Sequence, residues 1–471
     1  MFDKPEAFTL TIDGRAAPAS RTFDVVNPAT GAVFAAAPDA TPEQVDAAFE
    51  AAGKAFADWR LEDAVRRRAL RAVADTIEAA GEEIAQLLTA EHGKRIADSR
   101  REVARAVEYY RYYAGIPFAR QVLRDDDQAV VELVHRPMGP VAVIAPWNFP
   151  ITISSAKVAP ALRAGNTVVL KPSPFTPLST LRIGELLRGV LPGGVLNVLT
   201  GGDEVGRLMT THPLARKISF TGSIPTGKAI AAAAAGDLKR TTLELGGNDA
   251  VVVLDDADPV AVAQGIFARA FYNTGQVCVA PKRIYAPESL RPALVGELAE
   301  LARTVKLGDG SRPDTQMGPL NNPAQRDRVV ELVEDAVAHG ATVAAGGKVV
   351  DGPGFFYEPT VVTDIFDGVR LVDEEQFGPV LPVIGYTDLD DAIARANNTK
   401  FGLGSSVWGT DGQRAAAVAE RLEAGMTWVN GHGATTVDQP FAGIKWSGIG
   451  VENGHWALEG FTELQVLHHA K

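Results

Sequence analysis

The sequence predicts an α/β protein organised around mainly parallel sheets, and three observations predict it. From residue 131 onward, short β-branched runs alternate with helix-period stretches at the spacing of βαβ units. A second alternating series begins near Pro259. The chain has 471 residues, too many for one core, so two or three domains are expected.

The front of the chain reads as helical. Thr41-Pro42-Glu43-Gln44 offers a capping box, with Thr41 as N-cap, Pro42 at the first helical position and Gln44 reaching back. Helical sequence runs on to about residue 60, then over 63–91 and 99–113. The first strand series is 141–145, 167–170, 195–199, 217–220 and 250–254, with helices at 153–164, 178–190, 203–211 and 227–238. Parallel sheets of this kind bind ligands at the carboxyl ends of their strands. The second series places helices at 259–273, 289–304, 323–338 and 411–423, and strands at 282–285, 356–361, 380–385 and 427–429. Two outlying runs, 130–134 and 462–467, alternate like edge strands. They are expected to pair and to extend a sheet across a subunit boundary.

Composition narrows the partners. The chain is 46% hydrophobic and 22% charged, ordinary for a globular protein. Its net charge of −12 argues against nucleic acid or an anionic membrane as a general partner. The first six residues lack the basic and apolar regions of a signal peptide. With one cysteine, this points to the cytoplasm. No metal site is expected.

That cysteine, Cys278, closes Asn273-Thr274-Gly275-Gln276-Val277-Cys278, a stretch that suits a turn. It reads either as a nucleophile served by a distant carboxylate or as a small buried filler. Glu244-Leu245-Gly246-Gly247 offers the carboxylate. Gly222-Ser223-Ile224-Pro225-Thr226-Gly227-Lys228 matches the pattern GxxxxGK, but Ala229 follows where an NTPase needs Ser or Thr for magnesium. The segment still reads as strand, glycine turn and helix N-terminus, which suits a pyrophosphate or is simply a tight turn. No GxGxxG follows any strand. Lys171, in Lys171-Pro172-Ser173-Pro174, ends a strand and either meets ribose hydroxyls or is a surface lysine. Asn148, in Pro146-Trp147-Asn148-Phe149-Pro150, either aims its amide at an oxyanion or forms a turn. Glu374-Glu375-Gln376-Phe377-Gly378-Pro379 taken alone is an exposed acidic turn.

Together and in this order, PWNFP at 146–150, KPSP at 171–174, FTGS at 220–223, ELGG at 244–247, GQVC at 275–278, EEQFGP at 374–379 and PFAGIKWSG at 440–448 resemble the aldehyde dehydrogenase superfamily. The resemblance implies a Rossmann-type cofactor domain (1–119 and 138–246), a second α/β catalytic domain (247–446) and a small β oligomerisation arm (120–137 and 447–471). It implies that Cys278 attacks the aldehyde carbon, that Asn148 and the Cys278 backbone N–H hold the oxyanion, and that Glu244 activates the water that hydrolyses the thioester. Lys157 matches the family lysine behind the PWNFP loop. Lys171 and Glu375 match residues that hold the two riboses, and Phe377 a residue near the nicotinamide. Ile144, Trp147, Ser173, Pro174, Gly202, Gly206, Phe220, Ser223 and Leu245 match cofactor-lining positions. The implied cofactor is NAD. Pro174 stands where many NAD-using members carry a Glu that repels a 2′-phosphate, which leaves NADP tolerated. The implied assembly is a homodimer or homotetramer.

Departures from the family pattern bear on the substrate, expected to be a small-molecule aldehyde. Ala156 and Tyr272 stand where succinate-semialdehyde enzymes present arginines. Thr435 and Ala156 stand where betaine-aldehyde enzymes want aromatics. Phe149, Ile153, Ala156, Tyr272, Val277, Val279, Thr435 and Phe441 would line a roomy, mostly apolar tunnel. An uncharged, medium-sized aliphatic or aromatic aldehyde fits it. A semialdehyde dehydrogenase, including a CoA-acylating one, is the alternative.

Overall fold

The computed structural model describes residues 8–471. The signal-peptide reading of the first six residues, and the first seven residues of the expected cofactor domain, lie outside that range.

Helices of the front section form where the signals place them. α1 (Pro42–Trp59) begins at a formed capping box: Thr41 Oγ1 accepts from the Gln44 N–H at 3.3 Å, and Gln44 Oε1 accepts from the Thr41 N–H at 3.1 Å. The single helix expected over 63–91 is two, α2 (Asp63–Ala79) and α3 (Gly81–His92). The break falls at Ala80, next to Gly81, and Glu82 and Glu83 then favour a new first turn. α3 ends on Gly93 in the left-handed region (φ 90°), where glycine is favoured. α4 (Ile96–Gly115) follows. Four strands precede this section, and the sequence reading missed them: Leu10–Ile12, Arg15–Ala17, Arg21–Asn27 and Ala32–Asp39.

The first sheet has eight strands. Its parallel centre runs Arg240–Glu244, Lys217–Thr221, Pro140–Ile144, Thr167–Lys171, Leu196–Val198. Leu10–Ile12 and Gly448–Ile449 add to it antiparallel at the two ends of that centre. Strand order reverses between Pro140–Ile144 and Lys217–Thr221. The carboxyl ends of those neighbours therefore flank a switch-point crevice, where open α/β sheets bind ligands. The loop after one is residues 145–149. The turn after the other is Gly222-Ser223. α5 (Pro150–Ala164), α6 (Leu178–Leu186), α7 (Asp203–Thr211) and α8 (Ile224–Ala235) lie between these strands in sequence.

A seven-stranded sheet runs Thr342–Ala345, Thr360–Thr363, Val380–Tyr386, Pro281–Pro287, Asp249–Val253, Gly404–Trp408, Met426–Val429. All pairs but the first are parallel. The helix expected over 259–273 stops at Ala270, because Asn273 and Thr274 adopt left-handed backbone angles (φ 51° and 60°). One core cluster packs the first sheet and its helices, from Leu10 to Leu245, together with Val437, Ala457, Leu458 and Phe461. Two others pack the two faces of the second sheet.

The two outlying strands pair, as expected. Thr462–Ala470 runs antiparallel to Ala129–Pro137, which also pairs Gln121–Asp125. The side chain of Asn166, fully buried, ties this sheet to the first. Its Oδ1 accepts from the Met138 and Gly139 N–H groups at 2.7 and 3.0 Å, and its Nδ2 donates to the Phe461 carbonyl at 2.9 Å.

Candidate active site

Glu244 ends a strand of the first sheet, and Cys278 sits just before a strand of the second. The short segment 245–248 joins the two sheets, so the two residues approach despite their separation in sequence. Gly247 makes the closeness explicit: a Cβ added there would lie 2.6 Å from the Cys278 carbonyl oxygen. The loop that carries Cys278 is held in an unusual shape. Gly275 is left-handed (φ 71°), and a Cβ on it would meet the Gly378 carbonyl at 2.2 Å, so only glycine fits. The Thr274 hydroxyl donates to the Gly318 carbonyl at 3.0 Å, and the Asn321 N–H donates to Gln276 Oε1 at 2.8 Å.

Asn148 leaves the carboxyl end of Pro140–Ile144 and is buried. Its Nδ2 donates to the Gln276 carbonyl at 3.2 Å, which fixes the amide beside the cysteine loop. An amide nitrogen carries two hydrogens, so one remains. Its carbonyl accepts from Asn273 Nδ2 at 3.2 Å and from Lys94 Nζ at 2.8 Å. Trp147 stands edge-on to Phe377, ring centroids 5.4 Å apart.

Charge is arranged around the buried Glu244. Among the described residues, neither of its carboxyl oxygens has a hydrogen-bond partner. Burial raises its pKa well above the usual carboxylate range. Glu452 adds to the rise and Lys157 opposes it. Lys157, on α5, is fully buried and paired with Glu452, and its Nζ lies 3.4 Å from Ser219 Oγ. Glu452 comes beside Lys157 because Phe441 and Glu452 exchange two backbone hydrogen bonds of 2.8 Å. Sequence reasoning missed Glu452. Its surroundings, Gly450-Val451-Glu452-Asn453, carry no pattern that marks it.

Burial also governs Cys278. It pushes the thiol up to about 12, against the pull of the Lys282 ammonium; Glu375, Asp249 and Glu244 add to the rise. The neutral thiol is thus favoured over a thiolate in the ligand-free site. The cause is desolvation without a paired cation. Lys282 instead binds Glu375, and also donates to the Gly247 and Cys278 carbonyls at 2.7 and 3.1 Å. Glu375, expected to meet a ribose, faces Lys282 and accepts from the Gly247 N–H at 3.2 Å. Sequence reasoning missed Lys282 as well.

The remaining positions expected to line the cofactor lie on the first sheet and its loops. Lys171 is buried at the end of its strand, its pKa lowered to about 8 by burial and held up by Asp203 and Asp39. Ser173 is buried and Pro174 half-buried. Ser173 Oγ accepts from the Phe175 N–H at 3.3 Å. Gly202 caps α7 and Gly206 lies in its first turn; a Cβ on either meets nothing within 4 Å. Ser223 caps α8, accepting from the Thr226 N–H at 3.3 Å. Phe220 lies buried under Gly222, and Leu245 under Gly227. Ile144 ends the central strand, directly paired with Lys171.

The expected tunnel residues divide into two groups. Phe149 and Tyr272 stack with centroids 6.0 Å apart, and the Ile153 N–H donates to the Phe149 carbonyl at 2.9 Å. Ala156 is buried on α5. Val277 and Val279 flank Cys278. Thr435 comes from a distant loop, its carbonyl accepting from the Arg105 guanidinium at 3.2 Å, and Phe441 lies by Glu452.

One arrangement imitates catalytic machinery. His432 bridges Asp249 (3.1 Å) and Ser406 (2.9 Å). All three are sealed in the interior, with His432 and Asp249 side chains 0% exposed, so the trio ties strands together and meets no substrate. Among the described residues no cluster of His, Cys, Asp and Glu could hold a metal, and no helix is long and apolar enough to cross a membrane.

The raised Cys278 thiol has a measurable consequence. The thiolate is the reacting form, so its fraction grows about tenfold per pH unit below the thiol pKa. Iodoacetamide modification of this single cysteine in the ligand-free protein is expected to accelerate about tenfold per unit from pH 7 to 9 without a plateau. A plateau near pH 7 contradicts the desolvated thiol.

Comparison with known proteins agrees with this geometry. The aldehyde dehydrogenase family model matches residues 16–467. The chain is 39% identical to a betaine aldehyde dehydrogenase of Brucella anthropi, covering 94% of this chain and 93% of that one. It is 37% identical to a phenylacetaldehyde dehydrogenase of Pseudomonas fluorescens, covering 96% and 93%. The structure of a Bacillus cereus aldehyde dehydrogenase in complex with NAD+ superimposes with a TM-score of 0.96 at 38% identity, covering 99% and 97%. A chain matched along nearly its whole length in sequence and in fold, with its cysteine, glutamate and asparagine gathered at the join of two sheets, belongs to the aldehyde dehydrogenase family.

Proposed function

We propose that the protein oxidises an uncharged, medium-sized aldehyde to its carboxylic acid with NAD, through a covalent bond to Cys278. The observation that carries the reading is the convergence of Cys278, Glu244 and Asn148 at one place from two sheets. The chemistry needs a nucleophile, an oxyanion donor and a base, and these are the groups gathered.

The residues of the crevice fit NAD. Gly202 and Gly206 leave open space that any larger side chain would fill, and α8 begins directly after Lys217–Thr221, at the switch point. When bound, NAD accepts the hydride. Lys171 and Glu375 would bind its riboses, Glu375 by exchanging its present contact with Lys282. Asp39 and Asp203 lie near enough to Lys171 to hold up its pKa. Their negative charge opposes a 2′-phosphate there, which offsets the loss of a carboxylate at Pro174 and favours NAD over NADP.

The protein's own groups then act in sequence. The Cys278 thiol gives up its proton to bulk water as its sulfur bonds to the aldehyde carbon, and Glu244 likewise sheds its own proton to water before the hydrolytic step. The free N–H of the Asn148 amide, with the Cys278 backbone N–H, stabilises the oxyanion. Loss of hydride leaves a thioester on sulfur. Glu244, in its ionised form, takes a proton from water, and the hydroxide displaces the sulfur. The raised Glu244 pKa suits a base, because burial strengthens its hold on the proton it takes from water. The Lys157–Glu452 pair sets that value from behind.

Phe149 stacked on Tyr272 supports an apolar or aromatic substrate, and the resemblance to phenylacetaldehyde dehydrogenase points the same way. The betaine aldehyde relatives favour a second reading, a quaternary ammonium aldehyde held by that aromatic pair. Ala156 and Thr435, neither aromatic, leave that cage incomplete. We also propose self-association through the three-stranded sheet, which leaves Val122, Leu123, Leu464 and Val466 exposed.

Initial rates of NAD reduction are expected to be highest with phenyl- and alkyl-acetaldehydes. Betaine aldehyde or a carboxylated semialdehyde as the best substrate by about tenfold in kcat/KM overturns the substrate reading. Glu244→Gln is expected to form about one NADH per active site and then stall. Undiminished steady-state turnover removes Glu244 as the base.

A further inference from the structure

We propose that the buried Lys94–Glu102 ion pair is a positioning device that sets the Asn148 amide for catalysis. The inference rests on the Asn148 role proposed above. Lys94 follows the left-handed Gly93 at the end of α3, and Glu102 lies on α4; their side chains are 1% and 2% exposed. Lys94 Nζ donates to Glu102 Oε2 at 2.5 Å and to the Asn148 carbonyl at 2.8 Å. Glu102 Oε1 accepts from the Ile151 and Thr152 N–H groups at 2.9 and 3.2 Å, and the Glu102 carbonyl accepts from the Thr152 hydroxyl at 3.4 Å. One ion pair therefore grips the active-site loop at Asn148 and again at the first turn of α5. Between those points the Lys94 ammonium lies 4.2 Å from the Phe149 ring centroid, against a wall of the proposed tunnel.

An apolar pair would satisfy packing at this depth at least as well, because burying two charges costs about as much as their attraction returns. What an apolar pair cannot do is fix a backbone carbonyl and two helix-terminal N–H groups at once. The grip matters because the Asn148 side chain has one hydrogen committed to the Gln276 carbonyl. The direction of the other follows from where the backbone is held. Segment 91–94 also reaches the opposite loop: Asn321 Nδ2 donates to the Glu91 and His92 carbonyls at 3.3 and 3.4 Å, while the Asn321 N–H donates to Gln276. The oxyanion loop and the cysteine loop thus share one anchor.

A double-mutant cycle on the full-length enzyme tests this, read as the single-turnover rate of NADH formation, with NAD affinity measured by fluorescence. Asn148→Ala is expected to slow the burst about 100-fold. Lys94→Met is expected to slow it about 10- to 100-fold, with NAD affinity within about twofold of the parent. Placed on Asn148→Ala, Lys94→Met is expected to slow it by less than about twofold more, because the group it positions is gone. Glu102→Gln keeps the acceptor for Ile151 and Thr152 and repeats the cycle if Lys94→Met does not fold. Full additivity, an unslowed burst in Lys94→Met, or parallel loss of NAD binding overturns the positioning role. An unslowed burst in Asn148→Ala alone overturns the oxyanion reading instead, so the two failures are told apart.

Discussion

Glu244 carries a carboxyl group into the interior, where neither oxygen finds a hydrogen-bond partner among the described residues. Leaving a polar group unsatisfied costs about 1–3 kcal/mol, more if it is charged. The group responds by holding its proton, and the surrounding charges decide how firmly. Lys157 and Glu452 stand behind it as a compensated pair, so they adjust its ionisation without ending its isolation. Much of the local structure serves that placement. The strand Arg240–Glu244 is held by Lys217–Thr221 on one side and Gly448–Ile449 on the other. The Leu245 N–H donates to the Ser447 carbonyl, and the Ser447 hydroxyl to the Gly246 carbonyl.

The cysteine obeys the same rule. Burial raises the pKa of Cys278 as it raises that of Glu244, so desolvation favours the neutral form of both. In a closed, preorganised site the groups need to ionise only as the reaction demands. The local geometry is fixed by backbone in sparsely populated regions: Asn273 and Thr274 left-handed, Gly275 confined by Gly378, Phe377 left-handed at φ 46°. Such strain collects where neighbouring structure over-determines the loop.

The α/β architecture was legible because apolar periodicity reports burial directly. The strand Arg240–Glu244 was missed because its sequence, Arg-Thr-Thr-Leu-Glu, is polar; it pairs because its neighbours leave a slot for it. The split of the helix over 63–91 turned on Gly81, a residue that periodicity tolerates. Cys278, Glu244 and Asn148 were legible through short motifs. Glu452, Lys282 and Lys94 were not, since each works through a contact made only in three dimensions. Glu102 left a trace: it falls on the same helical stripe as Ser99, Val103 and Ala106, all buried, where a carboxylate requires a buried partner.

The central claim is that the reaction passes through an acyl group bonded to the one cysteine. The most direct measurement is the mass of the Cys278 peptide after Glu244→Gln is mixed with NAD and aldehyde and quenched in acid. The account predicts that this peptide gains the acyl group of the substrate in step with NADH formed. NADH formation with an unmodified Cys278 peptide would contradict it.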